Sequence, residues 1–128
     1  ESSGENINVL GQLTRDGVKN VYSASDLLVY PAPKTSHSYF MRDTSPMKIF
    51  EYMSTGKPMI CADTPPIRDV LDESVTLFYE PGNVDDLSTK IVFAMENAEE
   101  MHAMAWRAKE RVKEYTWDKR MERIISCV

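Results

Sequence analysis

Apolar positions along this chain fall into two alternating rhythms. Short apolar runs occupy Ile7 to Leu13, Leu27 to Ala32, Met59 to Ala62 and Val75 to Tyr79, and they predict strands. Leu27-Leu28-Val29-Tyr30 and Thr76-Leu77-Phe78-Tyr79 show little polar alternation, the pattern of strands buried on both faces of a parallel sheet. Helical spacing fills the intervals. Asp16 to Ala24 places Val18, Val21 and Tyr22 on one face, and Pro46 to Thr55 places Ile49, Phe50 and Met53 toward a core. Opposite that core face, Lys48, Glu51, Tyr52 and Thr55 form a polar stripe. Strand and helix in alternation predict an α/β fold with a parallel sheet.

Punctuation sharpens the boundaries. Ser45 is placed to cap the Pro46 helix, Pro46 suits its first turn, and Gly56 stops it. Pro81-Gly82-Asn83 makes a turn whose Asn83 can cap a helix carrying Leu87, Ile91, Ala94 and Met95. A further helix carries Met101, Met104, Ala105, Ala108 and Val112. The tail reads as a last helix with Trp117, Met121, Ile124 and Ile125 apolar, a stripe that needs something to pack on. The methionines fall mostly on these core faces and strands and read as packing. The one long irregular stretch, Pro33 to Asp43, follows a strand and precedes a helix, where open α/β sheets collect their ligands.

Composition narrows the function classes. With 128 residues, 42% hydrophobic and 27% charged, the chain suits one compact domain. A net charge of −5 argues against a nucleic-acid partner. Cys61 and Cys127 lie far apart with no histidine pattern nearby, so neither a disulfide framework nor a zinc site is expected, and a reducing, cytoplasmic setting is the default expectation. No apolar run is long enough for a membrane span, and Glu1 to Asn6 do not read as a signal peptide. Gly4, Gly11, Gly17, Gly56 and Gly82 never form G-x-G-x-x-G, which disfavours a dinucleotide oxidoreductase; a P-loop is absent as well.

The candidate chemistry lies between Asp43 and Pro58. A helix start just beyond a strand end presents unpaired N–H groups and about half a positive charge, which suits a diphosphate. Met47 and Lys48 can offer backbone donors there, whereas Pro46 cannot. Glu51 on the polar stripe suits ribose hydroxyls as an acceptor rather than phosphate. Spacing alone favours a plainer reading, an exposed Lys48–Glu51 ion pair at i, i+3. Lys34, Arg42, Lys48 and Lys57 can add positive charge, though scattered lysines are usually solvated surface. Tyr39-Phe40-Met41 suits either closure over a ligand or local packing, His37 reads as a loop histidine, and Arg68 as a helix cap or ion-pair partner.

The segment Asp43 to Leu71, with its core Ser-Pro-Met-Lys-Ile-Phe-Glu-Tyr-Met-Ser-Thr-Gly-Lys-Pro, closely resembles the signature of glycosyltransferase family 4, within the group 1 glycosyltransferases. Similarity extends to Asn8 to Ala32, where Ala24-Ser25-Asp26-Leu27-Leu28-Val29 matches a family strand, to Tyr79-Glu80-Pro81-Gly82-Asn83, and to Tyr115-Thr116-Trp117. The resemblance implies a GT-B enzyme of two facing Rossmann-like domains. Residues 1–128 would form the C-terminal, donor-binding one, with helices on both sheet faces but without its opening strands. The acceptor-side domain would be a missing partner, through which peripheral membrane association can arise.

The implied activity is retaining transfer of a sugar from a nucleotide diphosphate sugar, with no cofactor and no metal, in cell-surface polysaccharide or glycolipid synthesis. The family motif is a glutamate, seven residues and a second glutamate; the second, which holds the donor ribose, falls on Glu51. The first, which contacts the sugar hydroxyls, falls on Asp43, a shorter acid. The resemblance places Asp43, Thr44, Ser45, Met47, Lys48 and Glu51 around sugar, diphosphate and ribose, and sets Leu13 of the Gln12-Leu13-Thr14 turn against the base. Family members usually add lysine and arginine from an earlier segment absent here, so this chain alone is expected not to turn over. A nucleotide-sugar epimerase of the same architecture and a noncatalytic binding or interaction domain are the alternatives.

Overall fold

The computed structural model describes residues 6–34 and 46–126. Helix α1 (Arg15–Ala24) starts at Thr14, whose hydroxyl accepts the Gly17 N–H at 3.2 Å. Strand β1 (Leu28–Tyr30), helix α2 (Met47–Thr55), strand β2 (Met59–Ala62), the single turn α3 (Pro65–Arg68) and strand β3 (Leu77–Tyr79) follow. Helix α4 (Val84–Glu96), helix α5 (Ala98–Arg111), a 3₁₀ turn (Val112–Glu114) and helix α6 (Trp117–Ser126) complete the order. The sheet is parallel in the order β1-β2-β3, with Val29 beside Ile60 and Cys61 beside Phe78. This is the α/β fold with a parallel sheet that the pattern predicted, in the Rossmann-like form that the resemblance implied.

Strand β2 explains the two-sided core. All four of its residues are buried, and they alternate: Met59 and Cys61 enter one cluster, Ile60 and Ala62 the other. The first cluster is closed by Ile49, Tyr52 and Met53 of α2, with Ile67, Leu71 and Ala108. The second is closed by Ala94 of α4 and by Met101 and Met104 of α5. Helices therefore cover both sheet faces, and α5 serves both clusters. Directly before β3, buried Thr76 donates its hydroxyl to the Met59 carbonyl at 2.9 Å, which satisfies a polar group that burial would otherwise penalise.

Four expectations are corrected. Ile7 to Leu13 is not a strand: it has no pairing neighbour among the described residues, and Ile7, Val9 and Leu10 are exposed. A strand needs a ladder partner for its backbone groups. Tyr52 is buried rather than on the polar stripe, because its ring lies i+3 from Ile49 while its hydroxyl reaches the Val29 carbonyl at 3.3 Å. Met95 is 76% exposed on α4, and Met47 and Met121 also face outward, so methionine packing is confined to Met53, Met59, Met101 and Met104 among the described residues. Pro46 stands at the N-cap of α2 instead of within its first turn. At the other end of α2, Gly56 takes the left-handed conformation (φ 70°) and ends the helix as expected.

The loop leaving β1 is tied to the end of β3. The Ala32 N–H donates to the Tyr79 hydroxyl at 3.2 Å, and the Lys34 ammonium lies 3.7 Å from Glu80. These contacts fix the start of the segment leading toward Asp43.

Candidate functional site between helices α1 and α2

Both α1 and α2 carry polar residues toward a shared open cleft of about 710 Å³, lined by Arg15, Val18, Tyr22, Lys48, Glu51 and Lys57, among others. On α1 the spacing i, i+4, i+7 puts Arg15, Lys19 and Tyr22 on one face; on α2 the spacing i, i+3 does the same for Lys48 and Glu51. Arg15, Lys19, Lys48 and Lys57 line the cleft against one carboxylate, Glu51, among the described residues, so the cleft is cationic on a chain whose net charge is −5. Lys19 also lies 3.4 Å from Asp16, an exposed pair that holds it only weakly.

Among the described residues, no side chain caps the start of α2. Pro46 brings no side-chain acceptor to cap it, and the Pro46 carbonyl already receives the Ile49 N–H at 2.9 Å. The N–H groups of Met47 and Lys48 have no partner within the helix, and both residues are exposed. One turn farther along, Glu51 accepts a hydrogen bond from the Tyr22 hydroxyl at 3.2 Å. Burial raises the Tyr22 phenol above its ordinary range, and the neighbouring Glu51 carboxylate raises it further. A phenol is protonated at neutral pH in any case, and the shift widens the range over which Tyr22 donates.

The predicted site residues separate into three sets. Met47, Lys48 and Glu51 stand together on α2, and Lys48 and Glu51 face the same cleft. The plainer ion-pair reading does not hold: no ion pair joins Lys48 to Glu51 among the described residues, and Glu51 turns to Tyr22. Leu13 is 37% exposed immediately before the Thr14 cap, two residues ahead of Arg15. Asp43, Thr44 and Ser45 lie outside the described residues, as do His37, Arg42 and Tyr39-Phe40-Met41. Arg15, Lys19 and Tyr22 were not picked out as site residues, although their helical spacing was the available signal. Lys34 does not join the cleft; it neighbours Glu80.

A second open cleft, of about 550 Å³, runs along β3 and is lined by Asp63, Arg68, Glu73, Glu80, Asp86 and Lys90, among others. Its chemistry is self-contained. Arg68 donates to both Asp63 oxygens at 2.7 and 2.8 Å, reaches Glu73 as well, and lies 3.6 Å over the Phe78 ring. Four carboxylates against two cations make this cleft a poor receptor for a phosphate. Among the described residues no group of three or more His, Cys, Asp or Glu side chains is placed to hold a metal ion. No described helix is long and apolar enough to cross a membrane.

Comparison with known proteins bears on the family and the fold. Residues 2–111 match the glycosyl transferases of group 1. A sulfoquinovosyl transferase of Arabidopsis thaliana is 25% identical over 111 residues, or 84% of this chain and 20% of that protein. Crystal structures of Anabaena HepE share the fold. The complex with UDP and glucose aligns with a TM-score of 0.69 at 18% identity, over 88% of this chain and 30% of that one. The complex with UDP-glucose aligns at 0.66 and 20% identity, over 88% and 30%. The chain thus spans about a fifth of the curated relative and under a third of these solved structures.

Proposed function

The chain belongs to the group 1 glycosyl transferases, and from that premise we propose that it is the donor-binding, C-terminal part of a retaining family 4 enzyme. The donor is a nucleotide diphosphate sugar, the class to which the UDP-glucose bound by HepE belongs. The observation that carries the reading is the placement of Glu51 one turn beyond a helix start that no side chain caps among the described residues, in a cationic cleft. The Met47 and Lys48 N–H groups receive the diphosphate, aided by the helix dipole and the flanking lysines. Glu51 accepts from the ribose hydroxyls, Leu13 packs against the base, Asp43 meets the sugar, and Thr44 and Ser45 belong to the donor-binding set.

In transfer, the bond from the anomeric carbon to the diphosphate breaks and a bond to the acceptor oxygen forms with retained configuration. The acceptor hydroxyl proton passes to the departing diphosphate, and the charge growing on that group is met by donors already in place. On this reading lysines and helix N–H groups supply that stabilisation without a metal. The acceptor binds a separate domain, so these 128 residues alone do not turn over. The enzyme is a hexosyltransferase working in the cytoplasm on cell-surface polysaccharide or glycolipid precursors.

The test is transfer from UDP-, GDP- and ADP-sugars by the intact protein, with the anomeric configuration of the product assigned by NMR. A retained configuration and a tenfold or greater loss of activity in Glu51→Ala support the reading, on the order expected for losing a charged hydrogen bond. Epimerised free sugar, or no turnover with any donor, contradicts it.

A further inference from the structure

Tyr22 stands on an aromatic base that fixes where its hydroxyl can reach. Its ring meets the ring of Tyr52 edge-on, with centroids 5.5 Å apart and planes at 84°. Tyr52 is itself buried, donates to the Val29 carbonyl at 3.3 Å, and meets Tyr30 edge-on at 6.5 Å. A chain of contacts thus runs from the backbone of β1 through Tyr52 and Tyr22 to Glu51, where the Tyr22 hydroxyl donates to Oε2 at 3.2 Å. Glu51 is exposed and would otherwise sample many rotamers. With Oε2 held, Oε1 keeps its acceptor sites for a ligand, since a carboxylate offers about four lone-pair positions.

We propose that Tyr22 is a positioning residue that holds the Glu51 carboxylate in the orientation that reads the two ribose hydroxyls of the nucleotide. The proposal rests on the reading of Glu51 as the ribose acceptor. It makes the α1 face contribute to ligand selectivity without touching the ligand. Tyr22 acts through Glu51, so its loss weakens only those ligands that Glu51 discriminates.

The experiment compares binding of a nucleoside diphosphate with that of its 2′,3′-dideoxy counterpart by calorimetry on the intact protein, using the tightest binder among UDP, GDP and ADP. Variants are Glu51→Ala and Tyr22→Phe, the second of which keeps the ring against Tyr52 and removes only the hydroxyl. Expected results are a preference of the parent protein for the ribose form, its loss in Glu51→Ala, and a several-fold reduction in Tyr22→Phe, up to about tenfold. Affinity for the dideoxy form stays unchanged in Tyr22→Phe, whereas a merely structural role would lower both affinities alike. If Glu51→Ala removes the preference and Tyr22→Phe leaves it whole, the positioning role is overturned and Glu51 keeps its assignment. If Glu51→Ala leaves the preference whole, or no nucleotide binds, the reading of Glu51 fails and the proposal with it.

Discussion

A Cβ placed on Gly82 would lie 2.6 Å from the Lys34 Cβ and 2.9 Å from the Lys34 backbone nitrogen, so the turn after β3 and the loop after β1 touch through a glycine. Gly82 also has φ +75°, a conformation that costs an L-residue roughly 1–2 kcal/mol. Gly56 (φ +70°) would meet only the flexible Lys109 side chain, at 3.0 Å, and Gly11 (φ +66°) would meet nothing within 4 Å. Urea denaturation should therefore rank Gly82→Ala as most destabilising, at about 2 kcal/mol or more, with Gly56→Ala and Gly11→Ala nearer 1 kcal/mol. A Gly82→Ala cost equal to that of Gly11→Ala would mean the loop yields freely.

Stability should fall on the alkaline side. Burial pushes the Cys61 thiol up to about 12 and the Tyr52 phenol up to about 12, from ordinary values of 9.0 and 10.0. Both groups stay neutral in the fold while the unfolded chain ionises, so their contribution is whole below pH 9 and is lost as pH climbs toward 12. Denaturation midpoints should drop between pH about 9 and about 11, less steeply in Tyr52→Phe with Cys61→Ala. A midpoint unchanged over that range in the parent chain would contradict the burial of both groups.

On the acid side the sign reverses. Arg68 holds the Asp63 and Glu73 carboxyls below their usual range, and the Ser74 hydroxyl with Arg111 brings Asp72 down to about 2. Their contribution is present above the ordinary carboxylate values, 3.8 for aspartate and 4.5 for glutamate, and is lost as pH falls toward 2. Arg68→Lys gives up the two-pronged contact with Asp63 and weakens the stacking on Phe78; at neutral pH it should cost about 1 kcal/mol, a modest figure because the groups are partly exposed. The difference from the parent chain should narrow on acidification. A gap that persists at pH about 2 would assign the cost to packing over Phe78 instead.

Much of the architecture was legible because it rests on local chemistry. The unbroken run Met59 to Ala62 became the central buried strand, Asn83 caps α4 by accepting the Asp86 N–H at 3.0 Å, and Gly56 ends α2. Ile7 to Leu13 misled because apolar composition cannot supply the neighbouring strand that a ladder requires. Tyr52 misled because a phenol is apolar along its ring and polar at its tip; its hydroxyl bond to Val29 lies across the fold, beyond any local spacing. At the site, Lys48 and Glu51 were readable from a helix face, but the contact of Glu51 with Tyr22, 29 residues away, is a tertiary event.

On the proposed function, a nucleoside diphosphate sits at the start of α2. An amide chemical-shift titration of the protein with UDP, GDP and ADP tests it most directly, repeated on Glu51→Ala. Shifts should centre on Leu13, Met47, Lys48 and Glu51, with affinity roughly tenfold or more weaker in the variant. Shifts confined to the β3 cleft around Arg68, or no shift with any nucleotide, would contradict it.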